Sequence, residues 1–213
     1  AFVSDVARLK ALSEHGGIYL DTDVELFQPL DRFLNCCCFS GIELYREFET
    51  EHIAEKMLDI EGRPLNKQID IPHLEILTSS FGAVPHFAIV DDLLHYYISI
   101  HTPMQTLEEF RAEVNYDRLL ARHLIPYGFR YIDKTQYLDN GIVIYGTGTF
   151  GYAFCPNPNY TVSFHHNAAS WDSEHFTQSH QRQLFFDRLG LLPLYRLAKK
   201  LKRGIVSPPP PNA

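Results

Sequence analysis

Apolar residues recur with two different periods along the chain, and the alternation of these periods predicts an α/β fold. The first helical segment places Val6, Leu9 and Leu12 on one face, and Ser4 precedes this face as a candidate N-cap. Helical spacing predicts helices at 4–15, 49–60, 85–100, 115–127, 172–190 and 192–203. Short β-rich runs predict strands at 18–21, 37–44, 141–146 and 160–166.

The stretch GGIYLDTDVEL, residues 16–26, joins the first helix to the first strand and carries two carboxylates. Gly16 and Gly17 are typical of a helix C-terminus. Asp21 and Asp23 have the same parity, so on a continuing strand their side chains would point to the same side. Two carboxylates at the carboxyl end of a strand form a hard oxygen site for Mg²⁺ or Mn²⁺. The alternative is that this stretch is a polar turn, since Asp is favoured in turns.

Composition narrows the classes of protein to which the chain could belong. Its 213 residues, 45% hydrophobic and 21% charged, are typical of one globular domain. The formal net charge of −7 argues against a nucleic-acid partner, which would favour a basic surplus. We expect neither a membrane-spanning segment nor a signal peptide. Three consecutive cysteines at 36–38 and a distant Cys155 lack C-x-x-C spacing, so we expect buried reduced thiols, which favours a reducing compartment.

Two further clusters of polar residues accompany the aspartates. Asp5 and Arg8 lie three residues apart and therefore on one face of the first helix, where a plain surface ion pair is the alternative interpretation. Near the other end, FHHNAASW follows a strand and includes His165, Ser170 and Trp171. A neutral imidazole can bind Mn²⁺ and an indole N–H can donate a hydrogen bond, although structural histidines are common.

These motifs together resemble the DXD-containing core of family 32 glycosyltransferases, the sugar transferases of bacterial polysaccharide loci and the related fungal mannosyltransferases. The family pattern is S-D-x-x-R, a leucine-rich helix and G-G-x-Y-x-D-x-D. The chain matches it through Ser4, Asp5, Arg8, Gly16, Gly17, Tyr19, Asp21 and Asp23. FHHNAASW resembles the closing H-H-x-x-x-S-W motif of the family, and the resemblance spans residues 2 to 171 with weaker stretches between.

The resemblance implies a GT-A-like α/β fold and a retaining hexosyltransferase that uses a UDP- or GDP-sugar and Mn²⁺ or Mg²⁺. Metal binding would fall to Asp23 and His165, and Asp21 would contact the ion through water, or the ribose and sugar of the donor. The remaining residues of the motifs would bind the sugar nucleotide. Asp5, Arg8 and Tyr19 would line the pocket of the donor sugar, and Ser170 and Trp171 would contact the diphosphate.

The resemblance also implies an organisation for the chain and a place for its reaction. We expect a catalytic GT-A core at 1–171 that lacks its N-terminal strands, C-terminal helices at 172–205 and a disordered Pro-rich tail at 206–213. The acceptor would be a saccharide or a lipid-linked saccharide in bacterial polysaccharide or capsule biosynthesis, in the cytoplasm. The basic helix at 192–203 could associate with an anionic membrane, and a solvated helix face is the alternative.

Two alternatives to an active transferase remain at this point. A haloacid dehalogenase-like phosphatase also runs an apolar strand into D-x-D, with Asp21 as its nucleophile. Glu25 stands where that class favours Thr or Val, and Asp91 and Asp92 fall in a helical pattern rather than at a strand end. The other alternative is a catalytically inactive fragment that binds a sugar nucleotide.

Overall fold

The structure is a computed structural model that describes residues 2–44, 54–66, 71–72, 74–99, 116–152 and 159–166. Its α-helices are α1 (Phe2–His15), α2 (Ala88–Ser99) and α3 (Tyr116–Leu124). Short 3-10 helices cover Asp31–Phe33, Ile125–Tyr127 and Asp139–Gly141. The strands are β1 (Gly17–Leu20), β2 (Val24–Leu26), β3 (Cys38–Leu44), β4 (Leu74–Ile76), β5 (Ser80–Ala83), β6 (Gln136–Tyr137), β7 (Ile142–Tyr145), β8 (Phe150–Tyr152) and β9 (Ser163–His165).

The larger sheet is mixed and has the order β1-β5-β3-β7-β6, with β4 pairing alongside β3. β5 runs antiparallel to both β1 and β3, and β7 runs parallel to β3. The strands β1, β3 and β7 therefore share one direction, and their carboxyl ends meet at the same edge of the sheet. Open α/β sheets bind ligands at such an edge.

The smaller sheet, β2-β9-β8, connects the start of the chain with residues about 140 positions later. β2 pairs antiparallel with β9, with Val24 opposite His165, and β8 pairs parallel with β9. Since β2 begins directly after Asp23, this pairing brings the end of β9 to the segment that carries both aspartates.

Two groups of buried side chains hold the sheets and helices together. On one face of the larger sheet, α1 and α2 bury Leu9, Leu12, Ile89 and Leu93 in a continuous apolar core. A second, smaller cluster joins the larger sheet to the smaller one. It consists of Phe33, Phe39, Leu77, Phe150 and Val162.

The α/β class predicted from periodicity is confirmed, and the mixed sheets are compatible with a GT-A-like fold. The N-cap assignment of Ser4 is wrong, because α1 begins at Phe2 and Ser4 lies inside its first turn. Of the helix predicted at 49–60, the described part is helical only at 54–57, since Leu58 forms a β-bridge with Pro64.

Among the described cysteines, the prediction of a buried thiol is confirmed only for Cys38, and several other predictions concern residues outside the described ranges. Cys36, Cys37 and Cys38 are free thiols, of which Cys38 is buried and the other two are half-buried. Among the described helices, none is long and apolar enough to cross a membrane. The predictions for Cys155, for the helices at 172–190 and 192–203 and for the tail concern residues outside the described ranges.

Candidate metal and donor site

The two aspartates lie on a tight turn at the carboxyl edge of the larger sheet. Asp21 extends the pairing of β1 by one residue, because its N–H donates to the carbonyl of Ser79 at 2.9 Å. The chain then turns, with the N–H of Val24 donating to the carbonyl of Asp21 at 3.0 Å. The strand therefore does not continue through Asp23, and a turn, which was the alternative interpretation of this stretch, brings the two carboxylates together.

Strand pairing places His165 against this turn. Besides the β2–β9 register, the backbone N–H of His166 donates to the carbonyl of Asp23 at 3.0 Å. The Nε2 atom of His165 lies 3.2 Å from Oδ1 of Asp23 and 3.7 Å from Oδ2 of Asp21. One ligand atom from each of these three half-buried side chains lies within 4.8 Å of the other two.

The donor set fits a divalent cation. Ligand atoms at about 2.1 Å from an octahedral ion are about 3 Å apart when adjacent, which is close to the 3.2 Å between His165 and Asp23. Two carboxylate oxygens and one imidazole nitrogen leave further positions for water and phosphate oxygens. Burial lowers the pKa of His165, although Asp23 and Asp21 partly oppose this shift, so its ring is neutral at pH 7 and has a lone pair for a metal.

Arg8 forms the second part of the site, directly beside the metal-binding side chains. Its side chain is only 7% exposed, and its guanidinium lies 3.2 Å from Asp5 and 3.4 Å from Asp21. Nη1 donates to the carbonyl of Thr78 at 2.8 Å, and the guanidinium carbon lies 4.4 Å from the centre of the Tyr19 ring. The alternative of a surface ion pair is therefore wrong, because this cation is buried between two carboxylates and an aromatic ring.

Tyr19 and Asp5 complete this cluster, and their ionisation is shifted by burial. The hydroxyl of Tyr19 donates to Oδ1 of Asp21 at 2.6 Å. Burial is the main cause that raises the pKa of Tyr19, and this hydrogen bond is the second. The Tyr19 hydroxyl therefore remains a hydrogen-bond donor at neutral pH. Burial also raises the pKa of Asp5 to about 6, because desolvation outweighs the attraction of Arg8.

The structure thus brings together six of the eight residues predicted for the site, and the other two, Ser170 and Trp171, lie outside the described ranges. The six are Asp5, Arg8, Tyr19, Asp21, Asp23 and His165. Sequence analysis missed the contribution of the segment before β5, whose Thr78 and Ser79 carbonyls hold Arg8 and Asp21. These contacts are made by backbone atoms, which leave no signal in the residue pattern.

Comparison with known proteins gives one match. Residues 1–39 match a family model described as the glycosyltransferase sugar-binding region containing a DXD motif. No curated protein and no solved structure matches the chain. The match covers Asp5, Arg8, Tyr19, Asp21 and Asp23 and supports a glycosyltransferase with a nucleotide-sugar donor. His165 lies outside the matched residues, so its approach to Asp23 is a separate observation.

Proposed function

We propose that the protein is a metal-dependent glycosyltransferase that moves a sugar from a nucleoside diphosphate sugar to an acceptor. The observation that carries the proposal is the convergence of Asp21, Asp23 and His165 beside the buried Arg8. Residues from opposite ends of the described chain meet there in a set of donors that fits Mn²⁺ or Mg²⁺.

The residues of the site divide into two roles in this proposal. Asp23 and His165 would hold the divalent ion directly, with Asp21 binding it directly or through water, and the ion would neutralise the charge that develops on the diphosphate leaving group. The Asp5 carboxyl group can accept hydrogen bonds from hydroxyl groups of the transferred sugar, and the Arg8 guanidinium can donate hydrogen bonds to them. Tyr19 lines the same side and fixes Asp21 through its hydrogen bond.

The resemblance to family 32 supports a narrower proposal. The reaction would be a retaining hexosyl transfer, with Ser170 and Trp171 contacting the diphosphate. The acceptor would be a saccharide or lipid-linked saccharide of bacterial polysaccharide biosynthesis in the cytoplasm, and the basic segment at 192–203 would associate with anionic membrane. Support for these details comes from the S-D-x-x-R and G-G-x-Y-x-D-x-D motifs and from the basic residues of that segment.

The test measures release of nucleoside diphosphate from a panel of UDP- and GDP-sugars, with Mn²⁺ or with EDTA. We expect release that requires the metal and is lost in Asp23→Ala. Asp31→Ala is the matched control, because Asp31 is an exposed carboxylate on the 3-10 helix that follows the site. Metal-independent release, or equal release from Asp23→Ala, would contradict the proposal.

The same preparation tests the phosphatase alternative. A phosphatase with Asp21 as its nucleophile would hydrolyse a generic phosphomonoester and lose this activity in Asp21→Ala. We expect no such activity, because Asp21 is held by Arg8 and by the hydroxyl of Tyr19, which favour a carboxylate that binds rather than attacks.

A further inference from the structure

Ser79 directly precedes β5, and its backbone carbonyl accepts the N–H of Asp21. The register of β1 and β5 pairs Leu20 with Ser80, and the bond from the Asp21 N–H to the Ser79 carbonyl continues this register by one residue. Side chains directly opposite in an antiparallel pair lie on the same face with Cβ atoms about 5 Å apart. This register places the Cβ atoms of Ser79 and Asp21 on one face, which also carries Tyr19.

The hydroxyl of Ser79 is buried, and it has no hydrogen-bond partner among the residues that the structure describes. Ser79 is 3% exposed, so water in the surrounding solvent does not satisfy the hydroxyl. A buried polar group without a partner destabilises a folded chain. Other buried serines of the same region are satisfied, since Ser40 donates to the carbonyl of Leu77.

The Asp21 carboxylate has to move if it is to bind an ion directly, in a position adjacent to His165. Its Oδ1 accepts the hydroxyl of Tyr19, and its Oδ2 is 3.7 Å from Nε2 of His165. Adjacent ligand atoms of an octahedral ion are about 3 Å apart, so Oδ2 has to approach the imidazole by roughly 0.7 Å. That movement changes the geometry of the hydrogen bond from Tyr19, and a further donor besides Arg8 would hold the carboxylate in its new position.

We propose that Ser79 is a positioning residue for the metal site, whose hydroxyl donates to the Asp21 carboxylate when that carboxylate turns toward the divalent ion. A rotation about the Cα–Cβ bond of each side chain brings the two groups within reach across the strand pair. Donors that hold a ligating carboxylate typically change metal affinity ten- to a hundredfold. This inference rests on the metal site of the proposed function.

The experiment measures Mn²⁺ affinity by electron paramagnetic resonance and thermal stability in EDTA, for the full chain and its Ser79→Ala variant. We expect a metal Kd raised about tenfold or more. We also expect a Tm in EDTA that is unchanged or raised by about 2–4 °C, because the variant removes a hydroxyl without a partner. A residue with a merely structural role would lower the Tm and leave the metal affinity unchanged.

Two further variants make the result specific. Ser79→Thr keeps the hydroxyl and should keep the metal Kd within about threefold of the unmodified chain. Ser40→Ala is the matched control, because it removes a buried serine hydroxyl that has a partner. It should lower the Tm in EDTA and leave the metal affinity unchanged.

The outcomes separate this inference from the proposed function. If the unmodified chain binds no Mn²⁺, the proposed metal site itself is wrong. If it binds Mn²⁺ and Ser79→Ala binds it equally well, the positioning role is wrong while the metal site stands. A loss of affinity in Ser79→Thr as large as that in Ser79→Ala would also contradict the inference, because the hydroxyl is retained.

Discussion

Replacing Asp5 with asparagine removes a carboxyl group whose ionised form is disfavoured by the fold. Burial raises the pKa of Asp5 from 3.8 to about 6, and Arg8 only partly offsets this shift. The folded chain therefore retains a proton on Asp5 at pH values where the unfolded chain has released it. Because the folded pKa is the higher one, the contribution to stability is present below about pH 4 and is lost as the pH rises through 6.

The magnitude follows from the size of this shift. About two pKa units correspond to about 3 kcal/mol of folding free energy between low and high pH. Integrating the proton uptake between pH 5 and pH 8 gives about 1 kcal/mol of that total. The free energy of unfolding of Asp5→Asn, relative to the unmodified chain, should therefore rise by about 1 kcal/mol over this interval.

Urea unfolding at pH 5, 6, 7 and 8 measures this difference. The comparison across pH cancels any effect of the substitution that does not depend on pH, such as a change in packing. Asp92→Asn makes the same change of carboxylate to amide at an exposed position on α2 and is the matched control. If the difference in free energy of unfolding between Asp5→Asn and the unmodified chain stays constant or falls with pH, the reasoning is refuted. Such a result would mean that ionisation of Asp5 does not destabilise the folded chain.

Three further predictions concern the site and its support. Arg8→Ala should lower the free energy of unfolding, measured in urea, by about 3–5 kcal/mol, because Asp5 and Asp21 lose a buried cation. A loss below about 1 kcal/mol would contradict the burial of Arg8. Gly82→Ala should cost about 1–3 kcal/mol in the same assay, since a Cβ there would overlap the ring of Phe39, and an unchanged midpoint would contradict this packing. Mn²⁺ at about 100 times its Kd should add about 2.7 kcal/mol to the free energy of unfolding, which is measured as a rise in Tm. EDTA should reverse this rise, and Asp23→Asn should abolish it. An equal rise in Asp23→Asn would mean that the ion binds at another site.

Much of the candidate site could be predicted because its residues are concentrated in short motifs. The pair Asp5 and Arg8 is set by helical spacing, and α1 confirms that both lie on one face. The glycines after α1 were also predictable, because Gly16 has φ +63° and leaves the helix as a C-terminal glycine does. Local patterns of this kind depend only on neighbours in sequence.

The rest of the site depends on contacts between distant parts of the chain. That Arg8 is buried follows from the packing of α1 against β1 and from the Thr78 carbonyl, 70 residues away. The turn at Asp21 and Asp23 follows from β2 pairing with β9, because this pairing ends the first strand early. Strand pairing at such separations has no signature in a single sequence, which explains why the parity argument considered a continuing strand where the structure has a turn.

His165 and His166 provide the most direct test of the central claim, because the two neighbours face different partners. His165 lies against Asp21 and Asp23, whereas Nε2 of His166 lies 3.0 Å from Glu25. The measurement is Mn²⁺ titration of the unmodified chain, His165→Ala and His166→Ala by electron paramagnetic resonance. We predict a Kd at least tenfold higher for His165→Ala and within about twofold of the unmodified chain for His166→Ala. Equal affinity in all three proteins, or a larger loss at His166, would contradict a metal site formed by Asp21, Asp23 and His165.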